Sequence, residues 1–194
     1  MTHPDPIALF SAWLAAAGEH GIDQPEAMTL ATATPLGLPS ARIVLLRGAD
    51  DEGFRFYSNR HSRKGDELRS NPNAALLFHW KQLGRQVRVE GAVSELADAE
   101  SDTYFASRPL ESRLGAWASD QSRPLESRKQ LLDRVDAARR RFADGDVPRP
   151  SNWGGYLLAP NAIEFWRHAD HRLHDRRLFT RSANGGWSSQ LLAP

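Results

Sequence analysis

Cysteine is absent from the 194 residues, which excludes a disulfide framework, thiol catalysis and any cysteine-based metal site. Lysine is scarce: Lys64, Lys81 and Lys129 are the only three among 25 basic residues, so nearly every cation is a guanidinium. An excess of one sign of charge is also lacking. The formal net charge is +1, whereas a polyanion-binding protein carries a stronger bias, so a nucleic-acid partner is not expected. No apolar run approaches the roughly 18–20 residues of a membrane span, and the N-terminus is polar. The expectation is a soluble, cytoplasmic protein with no membrane partner. Internal repeats and low-complexity linkers are missing too, and one domain over residues 1–194 is expected, long enough to bury a core.

What is present is punctuation for many short elements. Asp5-Pro6 reads as an N-cap followed by proline at the first helical position, and Ile7, Phe10, Leu14 and Ala17 recur at helical spacing before Gly18. That predicts a helix over about 6–18. Ala27 to Thr34 reads as a strand closed by the turn Pro35 to Pro39. Arg42 to Arg47 is an apolar run with an arginine at each end, the pattern of a strand buried on both faces. Phe54 to Ser58 is a further short strand. Ser62 caps a short helix that Asn71-Pro72 stops. Arg63 and Lys64 open that helix, where adjacent cations oppose its dipole unless an anion binds.

Asn73 to Trp80 and Arg85 to Val93 read as paired strands, with Val87, Val89 and Val93 alternating against Gln86, Arg88 and Glu90. Asp98 is expected to cap a helix through Ser107, followed by short helical or irregular structure over Leu110 to Gln121. From about Pro124, the stripe Leu125, Leu132, Val135 and Phe142 predicts a long amphipathic helix packed on the core, with Gly145 past its end. These helices make an insertion over about 98–143. Strands over 154–158, 162–166, 176–180 and 187–191 close the chain, the last two joined by Asn184-Gly185-Gly186. The fold class that follows is mainly β with flanking helices (α+β), a β-barrel decorated by helices.

The densest chemistry lies in Glu164 to Arg177, where three histidines, four arginines and two aspartates follow Phe165 and Trp166 closely. Unpaired buried charges are costly, so this is no ordinary core segment. If the segment from Arg172 is extended, Arg172, His174 and Arg176 point to one side. Two guanidiniums beside an imidazole suit an anionic ligand that also needs a proton donor or acceptor. An arginine-rich surface hairpin reflecting genome base composition would look similar. His168, His171 and His174 are spaced by three, which fits neither a strand face nor an i, i+4 helical pair, and no metal is expected.

Several words of the sequence occur together and in order: Arg42-Ile-Val-Leu-Leu-Arg47, Phe56-Tyr-Ser58, Ser62-Arg-Lys64, Arg85-Gln-Val87, Ser107-Arg-Pro109, Gln121-Ser122, Trp153-Gly-Gly155, Glu164-Phe-Trp166 and Arg172-Leu-His-Asp-Arg176. By these the chain, from about Pro6 to Pro194, resembles the pyridoxine/pyridoxamine 5′-phosphate oxidase family. The resemblance implies an FMN-binding split β-barrel, a homodimer with FMN in clefts between subunits. It also implies oxidation of pyridoxine or pyridoxamine 5′-phosphate by O2. Carried over residue by residue, FMN would contact Arg42, Ile43, Val44, Leu45, Leu46, Arg47, Tyr57, Ser58, Arg63, Lys64, Gln86, Gln121, Ser122, Trp166 and Arg176. The substrate would meet Arg47, Tyr104, Arg108, Ser112, Arg172 and His174, of which Arg172 and His174 would be catalytic.

The residues themselves agree in kind. Arg63 and Lys64 suit a phosphate, Trp166 offers a flat apolar surface, and Gln86 can hydrogen-bond a ring edge. Tyr104, Arg108 and Ser112 share a face if that stretch stays helical. A role in structural ion pairs is the lesser alternative for Arg42 and Arg176, His168 and His171 read as solvent-facing, and Trp153 reads as packing. Two departures from the family pattern stand out: Arg47 replaces a usual lysine, and the short stretch Met1 to Asp5 holds no counterpart of an N-terminal arm. A sister flavin oxidase of phenazine-type biosynthesis is also similar and shares the Arg-Leu-His word, while Arg108-Pro109, Ser112 and Trp153-Gly154-Gly155 favour the vitamin B6 enzyme. A split-barrel protein that holds FMN or pyridoxal phosphate without turnover is the remaining alternative.

Overall fold

The structure, a computed structural model, describes residues 5–194; residues 1–4, where a counterpart of the arm was sought, lie outside the described residues. Helix α1 (Pro6–Glu19) begins at the expected cap, with the Asp5 carboxylate accepting the N–H groups of Ile7 and Ala8 at 2.9 and 3.3 Å. Its Phe10 is fully buried and meets Phe54 and Phe78 edge-on, each at 4.9 Å.

Among the described residues nine strands form one antiparallel sheet: β1 (Ala27–Ala33), β2 (Pro39–Leu45), β3 (Gly48–Asp50), β4 (Gly53–Asn59), β5 (Asn73–Trp80), β6 (Arg85–Glu95), β7 (Trp153–Arg167), β8 (Asp175–Arg181) and β9 (Trp187–Leu191). The order is β2-β1-β5-β6-β7-β4-β3, with β8 on β7 and β9 on β8. Leu30, Leu76, Val89, Ile163 and Phe179 lie in register across five strands on one face, all fully buried, and form the spine of the core. With its helices this is a split β-barrel, the expected fold.

Strand β7 is where the barrel splits. It pairs with β4 through Trp153–Leu158 and with β8 through Ala162–Arg167, while β6 follows it on the other side. The exchange of neighbours falls at Pro160, which has no N–H for the ladder, opposite a register shift between Glu90 and Gly91. The two strands expected at 154–158 and 162–166 are therefore one bent strand.

Other expectations need correction. β2 is not buried on both faces: it ends the sheet path beside β1 alone, and Ile43 is 65% exposed. Helix α2 (Arg63–Ser70) is capped by Ser62 as expected, but α3 (Asp98–Ala106) is preceded by Ala97, and Asp98 instead pairs with Arg60 and Arg149. Pro109 interrupts the stretch containing Tyr104, Arg108 and Ser112, so α4 (Leu110–Ala118) is a separate helix. α5 (Arg128–Arg141) starts at the Ser127 cap, after Pro124, and Leu125 and Leu132 are exposed. Its inner face is carried by Ala138, with Phe142 just beyond.

Candidate functional site

A cavity of about 450 Å³ opens beside β2, the end of β4, the first turn of α2 and the α3–α4 junction. Of the residues expected around the cofactor, Arg42, Ile43, Val44, Leu45, Arg47, Tyr57, Ser58, Lys64 and Gln121 line it. Tyr104 and Arg108 from the expected substrate set line it too, as do Asn59 and Trp153.

One wall is an aromatic stack. Tyr57 lies parallel to Tyr104 at 3.9 Å and to Trp153 at 5.5 Å. The ladder sets Tyr57 of β4 opposite Gly155 of β7, and a Cβ there would sit 2.7 Å from the Tyr57 ring. A Cβ on Gly154 would sit 2.6 Å from the Arg60 guanidinium. The word Trp153-Gly154-Gly155 is thus a space requirement that lets one ring carry its neighbours.

The opposite wall is cationic and braced from behind. Buried Glu67 of α2 accepts hydrogen bonds from Thr32 Oγ1 (2.5 Å), Ser40 Oγ (2.6 Å) and Arg63 Nε (2.9 Å), and pairs with Arg42 at 3.4 Å. Burial acts to raise the Glu67 pKa, but the bonds from Ser40, Thr32 and Arg63 outweigh it and hold the carboxyl down at about 2. Arg42 is fixed further by Leu30 O at 3.2 Å, Thr32 Oγ1 at 2.5 Å and Ser40 Oγ. Lys64 is buried, and its Nζ donates to Ser62 Oγ at 3.1 Å and Gln121 Oε1 at 2.7 Å. Burial first, and then Arg42, pulls its pKa down to about 8. Arg108 Nη1 is buried without a partner, and burial lowers that pKa as well. No carboxylate pairs with Lys64 or Arg108 among the described residues. Such a wall suits phosphate oxygens.

The remaining expected residues are not brought to this cavity. Leu46 belongs to the hydrophobic core. Arg63 turns back to Glu67 with its side chain 62% exposed. Ser112 and Ser122 are exposed. Gln86, Trp166 and Arg176 stand in one row across β6, β7 and β8. Below that row buried Glu164 bridges Arg88 and Arg176, each at 2.7 Å. Arg42 and Arg176 are thus both members of ion pairs with a buried glutamate.

His174 packs on Trp166 at 4.5 Å, and its Nδ1 accepts the Ala169 N–H at 3.2 Å. Arg172 does not continue the strand alternation: it sits in the turn Asp170–Arg172, with φ of 63° after His171 at 56°. His168 and His171 are exposed, and no group of metal ligands occurs among the described residues.

Residues 14–142 match the protein family described as Pyridoxamine 5'-phosphate oxidase. The chain belongs to this family. Residues 153–194 match its companion region, described as Pyridoxine 5'-phosphate oxidase C-terminal dimerisation region. The pyridoxine/pyridoxamine 5'-phosphate oxidase of Novosphingobium aromaticivorans is 55% identical over 192 residues, 99% of this chain and 95% of that one. The protein of the same name from Gluconobacter oxydans is 53% identical over 98% of this chain and 94% of its own. Among solved structures, PhzG from Burkholderia lata 383, in complex with tetrahydrophenazine-1-carboxylic acid, superposes with a TM-score of 0.92 at 34% identity, covering 99% of this chain and 94% of that chain. A pyridoxamine 5'-phosphate oxidase-related, FMN binding protein from Nostoc punctiforme shares the fold at a TM-score of 0.77 and 17% identity, over 100% of both chains.

For this oxidase-family chain, residue reasoning missed Asn59 as a lining residue and took Trp153 for packing alone. Asn59 directly follows the Phe56-Tyr-Ser58 word, and the two glycines after Trp153 were the available signal for its neighbours. Glu67, which holds Arg42, has no signal in sequence, because its partners Thr32 and Ser40 come from two other strands. No helix among the described residues is long and apolar enough to cross a membrane.

Proposed function

We propose that this protein oxidises pyridoxine 5′-phosphate and pyridoxamine 5′-phosphate to pyridoxal 5′-phosphate with FMN as cofactor and O2 as electron acceptor. Bound FMN would supply the redox chemistry, the two-electron oxidation at the substrate's C4′ with O2 reduced to H2O2; the alcohol substrate would leave as the aldehyde directly, and the amine as an imine that water hydrolyses with release of ammonia. The observation that carries the reading is a pair of cations without carboxylates, buried Lys64 and half-buried Arg108 with its buried Nη1, at one cavity beside Arg42 and Arg47. Cofactor and substrate each bring a phosphate, and each phosphate needs its own cations. Arg42 and Lys64 would hold the cofactor phosphate; Arg108, with Tyr104 and Arg47, would hold that of the substrate.

Gln86, Trp166, Arg172, His174 and Arg176 act, in this reading, in the cavity of a second copy. Two features support it: all five lie outside the cavity of their own chain, and Trp166, Arg172, His174 and Arg176 fall in the region that matches a dimerisation sequence, with Gln86 paired to Trp166 across β6 and β7. Arg172 would orient the substrate's oxygen or amine and stabilise developing negative charge, with His174 as its hydrogen-bond partner. Trp166 would give the flavin ring an apolar surface and Gln86 would bond its edge.

The phenazine-type reading draws on the 34% identity to PhzG. The two are separated by adding pyridoxine 5′-phosphate, or a reduced phenazine carboxylic acid, to the purified holoprotein without oxygen. The proposal requires the yellow flavin band to bleach with the phosphate ester and oxygen uptake to follow on aeration. Bleaching with the phenazine acid alone would replace it, and a colourless protein that takes up no FMN would end it.

A further inference from the structure

Most fixed arginines of this protein are held by carboxylates: Arg42 by Glu67, Arg55 by Asp50, Arg60 by Glu95 and Arg149 by Asp102. Such an anchor sets the geometry but cancels much of the field a ligand would feel. Arg108 is held in another way. Its guanidinium carbon lies 4.7 Å from the centroid of the Trp153 ring and 5.4 Å from that of Phe105. Trp153 is 7% exposed and is itself locked by the parallel rings of Tyr57 at 5.5 Å and Tyr104 at 6.1 Å, with Phe105 edge-on at 5.0 Å. A ring face attracts a guanidinium through its quadrupole and leaves the charge intact. The product is a stationary full cation whose buried Nη1 has no partner. An unsatisfied buried donor is costly, and an anionic oxygen in the cavity relieves that cost.

We propose that Trp153 is a positioning residue that presents Arg108 to the substrate phosphate, and so sets the preference for phosphorylated over unphosphorylated ring substrates. The inference rests on the reading of the cavity given above. It goes beyond packing, because the same ring that stacks with Tyr57 also carries the Arg108 guanidinium over its face at 4.7 Å.

The test uses flavin-loaded protein and two substitutions, Trp153→Leu, which removes the ring, and Trp153→Phe, which keeps a weaker one. In Trp153→Leu the loss in kcat/KM for pyridoxine 5′-phosphate should exceed the loss for pyridoxine by on the order of tenfold, carried by KM rather than kcat. Trp153→Phe should recover most of that selectivity. Binding of inorganic phosphate to the same holoproteins, followed by calorimetry, should weaken in the same order. Equal losses on both substrates would confine Trp153 to packing and overturn the inference. A wild type that binds phosphate but oxidises no phosphorylated substrate would overturn the functional reading alone; unchanged phosphate affinity in the variants would then overturn this one. Should Trp153→Leu fail to fold, Trp153→Phe decides: a partial loss of phosphate affinity supports the role and none refutes it.

Discussion

Lys64 keeps a charge where burial disfavours one, and its pKa near 8 makes the consequence measurable. A depressed lysine pKa means that the charged form costs stability in the flavin-free fold below pH 8, a cost relieved as pH rises toward the ordinary 10.5. A bound phosphate dianion reverses the preference. FMN should therefore bind best below pH 8 and lose affinity above it, by up to about tenfold per pH unit until the bound-state pKa is reached. Flavin fluorescence titrations between about pH 7 and 10 check this, and Lys64→Met should flatten the profile.

Arg172 is the other residue with a distinct expectation. A left-handed backbone at a non-glycine residue costs roughly 1–3 kcal/mol and tends to be kept where a ligand is clamped; here His171 and Arg172 both adopt it. On the proposed mechanism Arg172→Gln should lower turnover by on the order of a hundredfold while the bound-flavin spectrum and FMN affinity hold. Loss of flavin instead would move Arg172 to the cofactor set.

At the scale of elements, α2 braces β1 and β2 through a single carboxylate. Glu67 has its pKa at about 2 against an ordinary 4.5, so its contribution is complete above pH 4.5 and disappears as pH falls toward 2. That contribution is worth roughly 3 kcal/mol at neutral pH. Thermal melts of Glu67→Gln against pH should show a lower Tm at neutral pH and a flatter acid limb. The β4–β7 ladder makes a steric demand instead. A Cβ on Gly155 would meet both the Tyr57 ring at 2.7 Å and Leu96 Cδ1 at 2.6 Å, so Gly155→Ala should cost about 1–3 kcal/mol of stability. If the displaced Tyr57 carries its stack with it, KM for the phosphorylated substrate rises in the same variant, which steady-state kinetics would read.

For the molecule as a whole, the weight falls on the outer face of the sheet. Ile43 of β2 is 65% exposed, and Gln86, Trp166 and Arg176 lie on the outward side of β6, β7 and β8. An exposed apolar residue at the sheet edge and a half-buried row of polar and aromatic side chains on the outward side suit a surface covered by another chain. Ile43→Arg should raise the dimer dissociation constant by about tenfold or more. Because the proposed site is built from two chains, flavin binding should become dependent on protein concentration in that variant. Sedimentation and flavin titration over a dilution series measure the two together, and a monomer that binds FMN as tightly as wild type would refute the shared site.

Much of this was settled by near neighbours in the chain. The Asp5 and Ser62 caps, the valine alternation of β6, the stop at Pro109 and the ordered family words all depend on residues a few positions apart, where backbone sterics and local hydrogen bonds decide. A β-barrel decorated by helices followed from the number and spacing of such signals; that the barrel is split was implied by the family resemblance. Three matters depended on contacts distant in sequence. The run Ile43 to Leu46 reads as doubly buried, yet a strand is buried only if something lies beside it, and β2 is an edge. The joining of two predicted strands into β7 required the β6 partner that bridges Pro160. The division of the expected site residues into a cationic cavity and the separate row of Gln86, Trp166 and Arg176 depends on which strands curl toward one another, and burial, pairing and charge balance exist only after that folding.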